Sequence, residues 1–312
     1  MSADLIDVHA HFLTPEYVAA AQRAGHLVPD GMPAWPTWSA AEHLEVMDRN
    51  GISKSILSVS SPGVHFGDDV RARVLARRMN EAAAELTREY AGRFGFFASL
   101  PLPDLDGALA EVGHAFDALD TNGVVLPSNV GGRYPGDPRW QPLWQELNER
   151  EAVVFIHPTS PPNWRDVALD RPRPMIEFLF DGARAVSDLV LSGVLTHYPR
   201  VRFVITYAGG VLPMLSDRLA TFQSHFAVGA DDDLPSAADQ LREFWYDVAG
   251  TAIPHHLPGL QAVAGLDRVV YGSEYCFTPP ESVATKLAQL DAAPEAKGWR
   301  DLTTVNGTAL LT

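Results

Sequence analysis

Five places in this sequence carry side chains able to grip a metal ion or move a proton. The first is Ile6-Asp7-Val8-His9-Ala10-His11. Alternate residues of a β-strand point to one side, so His9 and His11 project two imidazoles in the same direction, about 7 Å apart along the strand. His157 ends Val153-Val154-Phe155-Ile156-His157, and Glu274 sits in Tyr271-Gly272-Ser273-Glu274-Tyr275. Both follow apolar runs and precede loop residues, which places them at the C-terminal ends of strands. Tyr207 and Asp247, the latter in Trp245-Tyr246-Asp247-Val248-Ala249, end two further strand-like runs. Three imidazoles and a carboxylate make a site for zinc or a similar divalent ion. Such an ion lowers the pKa of a bound water or holds a chelating substrate and stabilises developing charge.

Each residue also has a plainer reading. His157 is a ligand or a packed histidine before Pro158. Glu274 is a ligand, a buried helix cap or a salt-bridge partner. Asp247 orients a neighbour or pairs with an arginine. His197, before Tyr198-Pro199, reads as structural, and His255-His256 as an exposed helix start. His43, His65, His114 and His225 do not cluster in sequence. Cys276 has no base or activating partner in view, so it reads as a small pocket-lining residue rather than a nucleophile.

The elements that must position these groups alternate along the chain. Strands are expected at 4–10, 53–60, 94–99, 122–127, 153–157, 201–206, 244–249 and 268–273. Their nearly continuous apolar cores suit parallel strands buried on both faces. Helices are expected at 39–50, capped by Ser39 and ended by Gly51, and at 70–91, where Val70, Val74, Met79, Ala82, Leu86 and Tyr90 trace one stripe. Further helices fall at 107–120, 138–150 and 174–196, the last unusually apolar. Eight strands with intervening helices predict a (β/α)8 TIM-like barrel, α/β in class, as one domain over 1–312. Catalytic groups of such a barrel sit at the C-terminal ends of its strands, where all these candidates fall. Residues 12–38, rich in Pro, Gly and Trp, form a lid-like insertion on that face. The Asp231-Asp232-Asp233 run reads as a solvated loop.

Composition narrows the function classes. The chain has 312 residues, 46% of them hydrophobic, which is enough for a substantial core. Its formal charge of −15 disfavours nucleic acid or an anionic membrane as partner. With one cysteine, no intrachain disulfide and no cysteine-based zinc site can form. There is no phosphate-cradling Gly-rich motif and no apolar run long enough to span a bilayer, and no leader is expected ahead of the first strand. The expectation is a cytoplasmic protein acting on a small molecule.

In order, the residues resemble the amidohydrolase-2 family. The carriers are Asp7-Val8-His9-Ala10-His11, Met47-Asp48-Arg49-Asn50-Gly51-Ile52, Gly136-Asp137-Pro138, Phe155-Ile156-His157-Pro158 and Phe178-Leu179-Phe180-Asp181. They continue with Leu191-Ser192-Gly193-Val194, Gly209-Gly210, Tyr246-Asp247, Tyr271-Gly272-Ser273-Glu274-Tyr275 and Val305-Asn306-Gly307. The resemblance is to the branch of aminocarboxymuconate-semialdehyde decarboxylase and the decarboxylases of salicylate-like and resorcylate-like acids. It implies a barrel with one divalent ion, zinc or alternatively manganese, on His9, His11 and His157, and an assembly of two or four subunits, with a dimer expected. Glu274 stands where most members have aspartate, and Tyr207 where most have the histidine used as general acid or base.

The longer Glu274 moves its carboxylate by roughly 1.5 Å. It would be a fourth ligand or the proton donor to carbon. Tyrosine, with a pKa near 10 when free, is a poor base but a good hydrogen-bond donor. Three readings stay open. The first is a metal-dependent lyase removing CO2 from a cyclic or aromatic carboxylic acid, with Glu274, Tyr207 and Asp247 as its working residues. The second is a hydratase or hydrolase with Glu274 as base. The third is a barrel repurposed without metal to act on or bind a secondary metabolite. The sequence assigns residues 12–38, Trp164 and Phe277 to the substrate pocket.

Overall fold

The computed structural model describes residues 4–226 and 234–312, so the Asp231–Asp233 run lies outside the described residues. Among the described residues there are nine strand segments: β1 Leu5–His11, β2 Ile52–Ser58, β3 Phe94–Phe96, β4 Ala98–Ser99, β5 Val124–Pro127, β6 Val153–His157, β7 Arg202–Ile205, β8 Trp245–Asp247 and β9 Val269–Val270. All neighbours pair in parallel. They form two sheets, β1-β2-β3 and β4 through β9 in sequence order.

The expected strand 94–99 is one stave of the barrel that changes partner midway. The Phe97 N–H donates to the Leu57 carbonyl of β2, and the Ala98 N–H to the Gly123 carbonyl beside β5. At the other seam, Asp7 bridges Tyr271 in parallel and the Val8 N–H donates to the Tyr271 carbonyl at 2.9 Å. Eight staves therefore close into a (β/α)8 barrel.

The interior is filled by side chains from around the ring, among them Val8, Ile56, Phe97, Val125, Phe155, Val204 and Val270, with Leu310 of the last helix added. A larger apolar layer joins the outer strand faces to the helices. Strands β7, β8 and β9 stop earlier than their apolar runs suggest. Directly after β7, Tyr207 and Ala208 adopt left-handed backbone, with φ of 56° and 53°, which no ladder can continue, and Glu274, four residues past β9, does so with φ of 61°.

Two helix expectations are corrected. Over Asp69–Glu89 the buried face is Ala72, Leu75, Ala76, Met79 and Ala83. Val70 and Val74, assigned to the core stripe, are exposed, because the valines lie one step around the helix from the face that meets the sheet. The stretch 174–196 is not one helix. It is a 3-10 turn at Arg173–Met175, a helix at Glu177–Leu191 and a short helix at Val194–His197, interrupted at Gly193 with φ +75°. The helix Ala40–Asn50 follows its caps: Ser39 Oγ accepts the Glu42 N–H, and Gly51 takes the left-handed conformation. Among the described residues no helix is long and apolar enough to cross a membrane.

Residues 12–38 contain a helix, Pro15–Arg23, followed by irregular chain. This segment is tied down. Tyr17 Oη donates to the Gly63 carbonyl, Trp35 Nε1 to the His26 carbonyl and Trp38 Nε1 to His43 Nδ1. Residues 24–28, 30 and 31 line the main cavity.

Candidate metal centre

At the C-terminal mouth of the barrel, one ring nitrogen from each of His9, His11 and His157 lies within 4.8 Å of the other two. All three side chains are buried. β1 supplies the first two and β6 the third. The pairing of β1 with β2 slips between Asp7 and Ala10, so His9 turns inward just above the interior layer, with its ring 4.9 Å from that of Phe155.

Each imidazole has its Nδ1 engaged. His9 Nδ1 donates to Asp247 Oδ2 at 2.7 Å. His157 Nδ1 donates to the Pro158 carbonyl at 2.7 Å. His11 Nδ1 lies 3.0 Å from Ser58 Oγ, whose own proton goes to the Ala10 carbonyl, so Ser58 is the acceptor. Oxygen acceptors on Nδ1 put the proton there and leave the Nε2 lone pairs facing inward. Two of those, on His9 and His11, meet at 3.1 Å. Two lone pairs at that distance repel unless a cation or a proton lies between them. The donor set therefore fits a divalent ion.

Electrostatics agree with that assignment. Burial, followed by the neighbouring His157 and His9, holds His11 well below the usual imidazole range. Burial, followed by His9, does the same for His157. Both are neutral and available as ligands. Burial also disfavours a charged His9, but Asp247, Glu274 and Asp7 outweigh it and raise its pKa.

Asp247 is fully buried and uses both oxygens. Oδ2 takes His9, and Oδ1 accepts the backbone N–H groups of Tyr207 and Ala249, each at 2.9 Å. It thus positions one histidine and the turn after β7. Glu274 lies outside the histidine cluster. Its N–H donates to the His9 carbonyl, and its Oε1 accepts the Tyr207 hydroxyl at 2.5 Å. Burial, then Glu274, raises Tyr207 well above the usual phenol range, so Tyr207 is a proton donor and not a base. In this structure the hydroxyl expected to meet substrate is given to Glu274.

Several residues that shape the site were not singled out in the sequence. Asp7, at 0% exposure, accepts the Ser273 N–H and hydroxyl, fixing the turn that carries Glu274. Burial pushes its carboxyl up to about 6. Its period-two spacing with His9 and His11 was the available signal. Ser60 Oγ stands 3.4 Å from His157 Nε2. Gly272 is close to the centre as well. A Cβ there would sit 2.7 Å from His9 Cβ and 3.2 Å from Asp247 Cγ, so any side chain would push the ligand and its anchor apart.

Other candidates fall away from the centre. His255 and His256 do not line the cavity, and His255 is exposed. Cys276 is packed into the core rather than lining the cavity, and burial pushes its thiol up to about 12, so it is not a nucleophile. Trp164 does line the cavity. Phe277 instead packs edge-on against His11, with ring centroids 5.5 Å apart.

The profile of the amidohydrolase family matches residues 6–304. The chain belongs to that family. Among its relatives, 6-methylsalicylic acid decarboxylase of Penicillium expansum is 34% identical over 285 residues, covering 89% of this chain and 86% of the relative. A solved amidohydrolase II superposes with a TM-score of 0.92 at 31% identity, covering 98% of this chain and 99% of that one. A dihydroxybenzoic acid decarboxylase from Polaromonas sp. JS666, solved with manganese and 2-nitroresorcinol, superposes at 0.84 and 21% identity over 100% of this chain and 97% of that one. At that identity the likeness is one of fold.

The geometry around this amidohydrolase's His9 gives a first prediction. Asn at position 247 can keep its oxygen on the Tyr207 and Ala249 N–H groups only by turning its amide nitrogen toward His9. His9 must then accept at Nδ1 and carry its proton on Nε2, which removes a ligand. Asp247→Asn is expected to weaken metal binding by about 10–100-fold, the usual cost of losing such a partner, as read by competition with a metal chelator. Unchanged affinity would show that Asp247 does not set the His9 tautomer.

Proposed function

We propose that this protein is a metal-dependent lyase that decarboxylates a hydroxylated aromatic carboxylic acid without oxidation. The reading is carried by the three inward-facing Nε2 atoms, each fixed by an oxygen on the opposite nitrogen. The 6-methylsalicylic acid decarboxylase named above acts on a methylsalicylic acid, which favours an arene acid over the muconate semialdehyde. We propose zinc as the ion, because three imidazoles suit it. Manganese, present in the fold neighbour, is the rival.

His9, His11 and His157 would hold the ion. When bound, it would supply positive charge that favours an acidic substrate and offsets the negative charge developing on it. The remaining work falls to side chains. Glu274 takes the phenolic proton as the acid binds and delivers it to the ring carbon bearing the carboxylate. The carbon–carboxylate bond then breaks, its electron pair restores the aromatic ring and CO2 departs. A solvent proton returns to the phenolic oxygen, so each turnover consumes one proton. Tyr207 holds Glu274 in place through its short hydrogen bond and stays protonated throughout. Asp247 keeps His9 in the ligand tautomer. The hydratase alternative would use the same Glu274 as a base toward water.

The test is incubation of zinc- and manganese-loaded protein with salicylate-type acids in D2O. We expect CO2 release with one deuterium at the carbon that lost the carboxylate. Product carrying solvent oxygen, with no CO2, would replace this reading with hydration.

The expected dimer has an apolar face available. Helices Glu177–Leu191 and Leu212–Phe226 pack together and expose Phe180, Met214 and Phe226. Sedimentation velocity is expected to give twice the chain mass, and a single species at 34.0 kDa would exclude the dimer.

A further inference from the structure

The main cavity meets the histidine cluster at His157 and continues past it. Its volume of about 910 Å³ is near the top of the range of about 300–1,000 Å³ for small-molecule pockets, which leaves space past a single ring. His157 lines it, and so do Arg133, Arg165, Arg173, Trp164 and Asp30. In a chain of net charge −15 this wall is locally positive, with three guanidinium groups and one carboxylate.

Arg173 is the most constrained of the three. Its guanidinium stacks over the Trp164 ring, 4.2 Å from the centroid, and Arg165 lies over the same ring at 4.5 Å. Its Nε donates to Ser160 Oγ at 3.1 Å. The nearest carboxylate oxygen, Asp30 Oδ1, stands 3.9 Å from Nη2, beyond hydrogen-bond reach. That oxygen accepts the Ser160 hydroxyl at 2.5 Å instead. Among the described residues neither Nη amine of Arg173 makes a hydrogen bond, although the side chain is only 13% exposed. A guanidinium fixed through its stack and its Nε, with both Nη amines unspent in a cavity wall, is a preorganised fork for a carboxylate. Ser160 follows His157 by three residues, so their Cα atoms are at most about 11 Å apart. One substituted ring, with the two side chains, can bridge that interval.

We propose that Arg173 takes a second carboxylate on the substrate, so that the acid decarboxylated beside His9, His11 and His157 is a hydroxyarene dicarboxylate. This rests on the decarboxylase reading given above. The test compares 4-hydroxyisophthalate with salicylate on metal-loaded protein, by titration calorimetry and by CO2 release. In the wild type the diacid is expected to bind at least 10-fold more tightly. In Arg173→Met the ratio of the two affinities is expected to fall to near one, and Arg173→Lys, which keeps the charge but not the fork, to fall between. Equal affinities in the wild type would overturn the subsite. So would an Arg173→Met variant that weakens both acids alike, because that is what a packing role under Trp164 produces. Arg173-dependent diacid binding without CO2 release would leave the subsite standing and remove the decarboxylase reading. Equal binding with CO2 release from both acids would do the reverse.

Discussion

Replacing His11 with alanine is expected to abolish metal retention and lower CO2 release by at least about 10³-fold. Among the described residues three side chains offer ring nitrogens at the centre, and each is oriented by its own oxygen acceptor. Removing His11 leaves two ligands on opposite sides of the barrel and leaves Ser58 Oγ with its bond to the Ala10 carbonyl alone. A bound ion contributes several kcal/mol of charge stabilisation, and about 4 kcal/mol corresponds to roughly 10³-fold in rate. The measurement is metal content by mass spectrometry after gel filtration, alongside turnover. About one ion per wild-type chain and less than one tenth in the variant is the expected pattern. A variant that still holds a full equivalent would move the metal site elsewhere.

Glu274→Gln is expected to cost about 10²–10⁴-fold in kcat, the usual range for a lost general acid, with KM and metal content nearly unchanged. Glutamine keeps an oxygen for the Tyr207 hydroxyl, so the local fold survives while the transferable proton is gone. This substitution also separates the two roles the sequence left open. If the ion leaves with the carboxylate, Glu274 is a ligand and the acid lies elsewhere. If the ion stays and turnover falls, Glu274 moves the proton.

Much of the barrel could be read from sequence because parallel staves buried on both faces are continuous apolar runs, and Val153–His157 shows it plainly. The strand ends were less legible. Tyr207 leaves the ladder after β7 by a left-handed turn, and Glu274 sits in another past β9, and no apolar pattern encodes either. The positions of His9, His11, His157 and Asp247 at strand ends were readable from spacing, whereas Glu274 lies four residues past β9. What joins them was not. The Tyr207–Glu274 and Asp7–Ser273 hydrogen bonds connect residues 67 and 266 positions apart, and tertiary distance leaves no periodic trace. Valines mislead for a related reason. Val70 and Val74 have the right spacing for a buried face, but the helix turns its small residues to the sheet, where Ala72, Ala76 and Ala83 permit close approach.

The seam between Asp7 and Ser273 also sets an order in time. A ribosome makes His9 238 residues before its anchor Asp247, and the Ser273 turn comes later still. At about 5–20 residues per second, His9 waits roughly 10–50 s for the partners that fix its proton. Until then the nascent chain has histidines but no formed centre. Closing the barrel and completing the site are one event, so metal uptake reports that the last stave has docked.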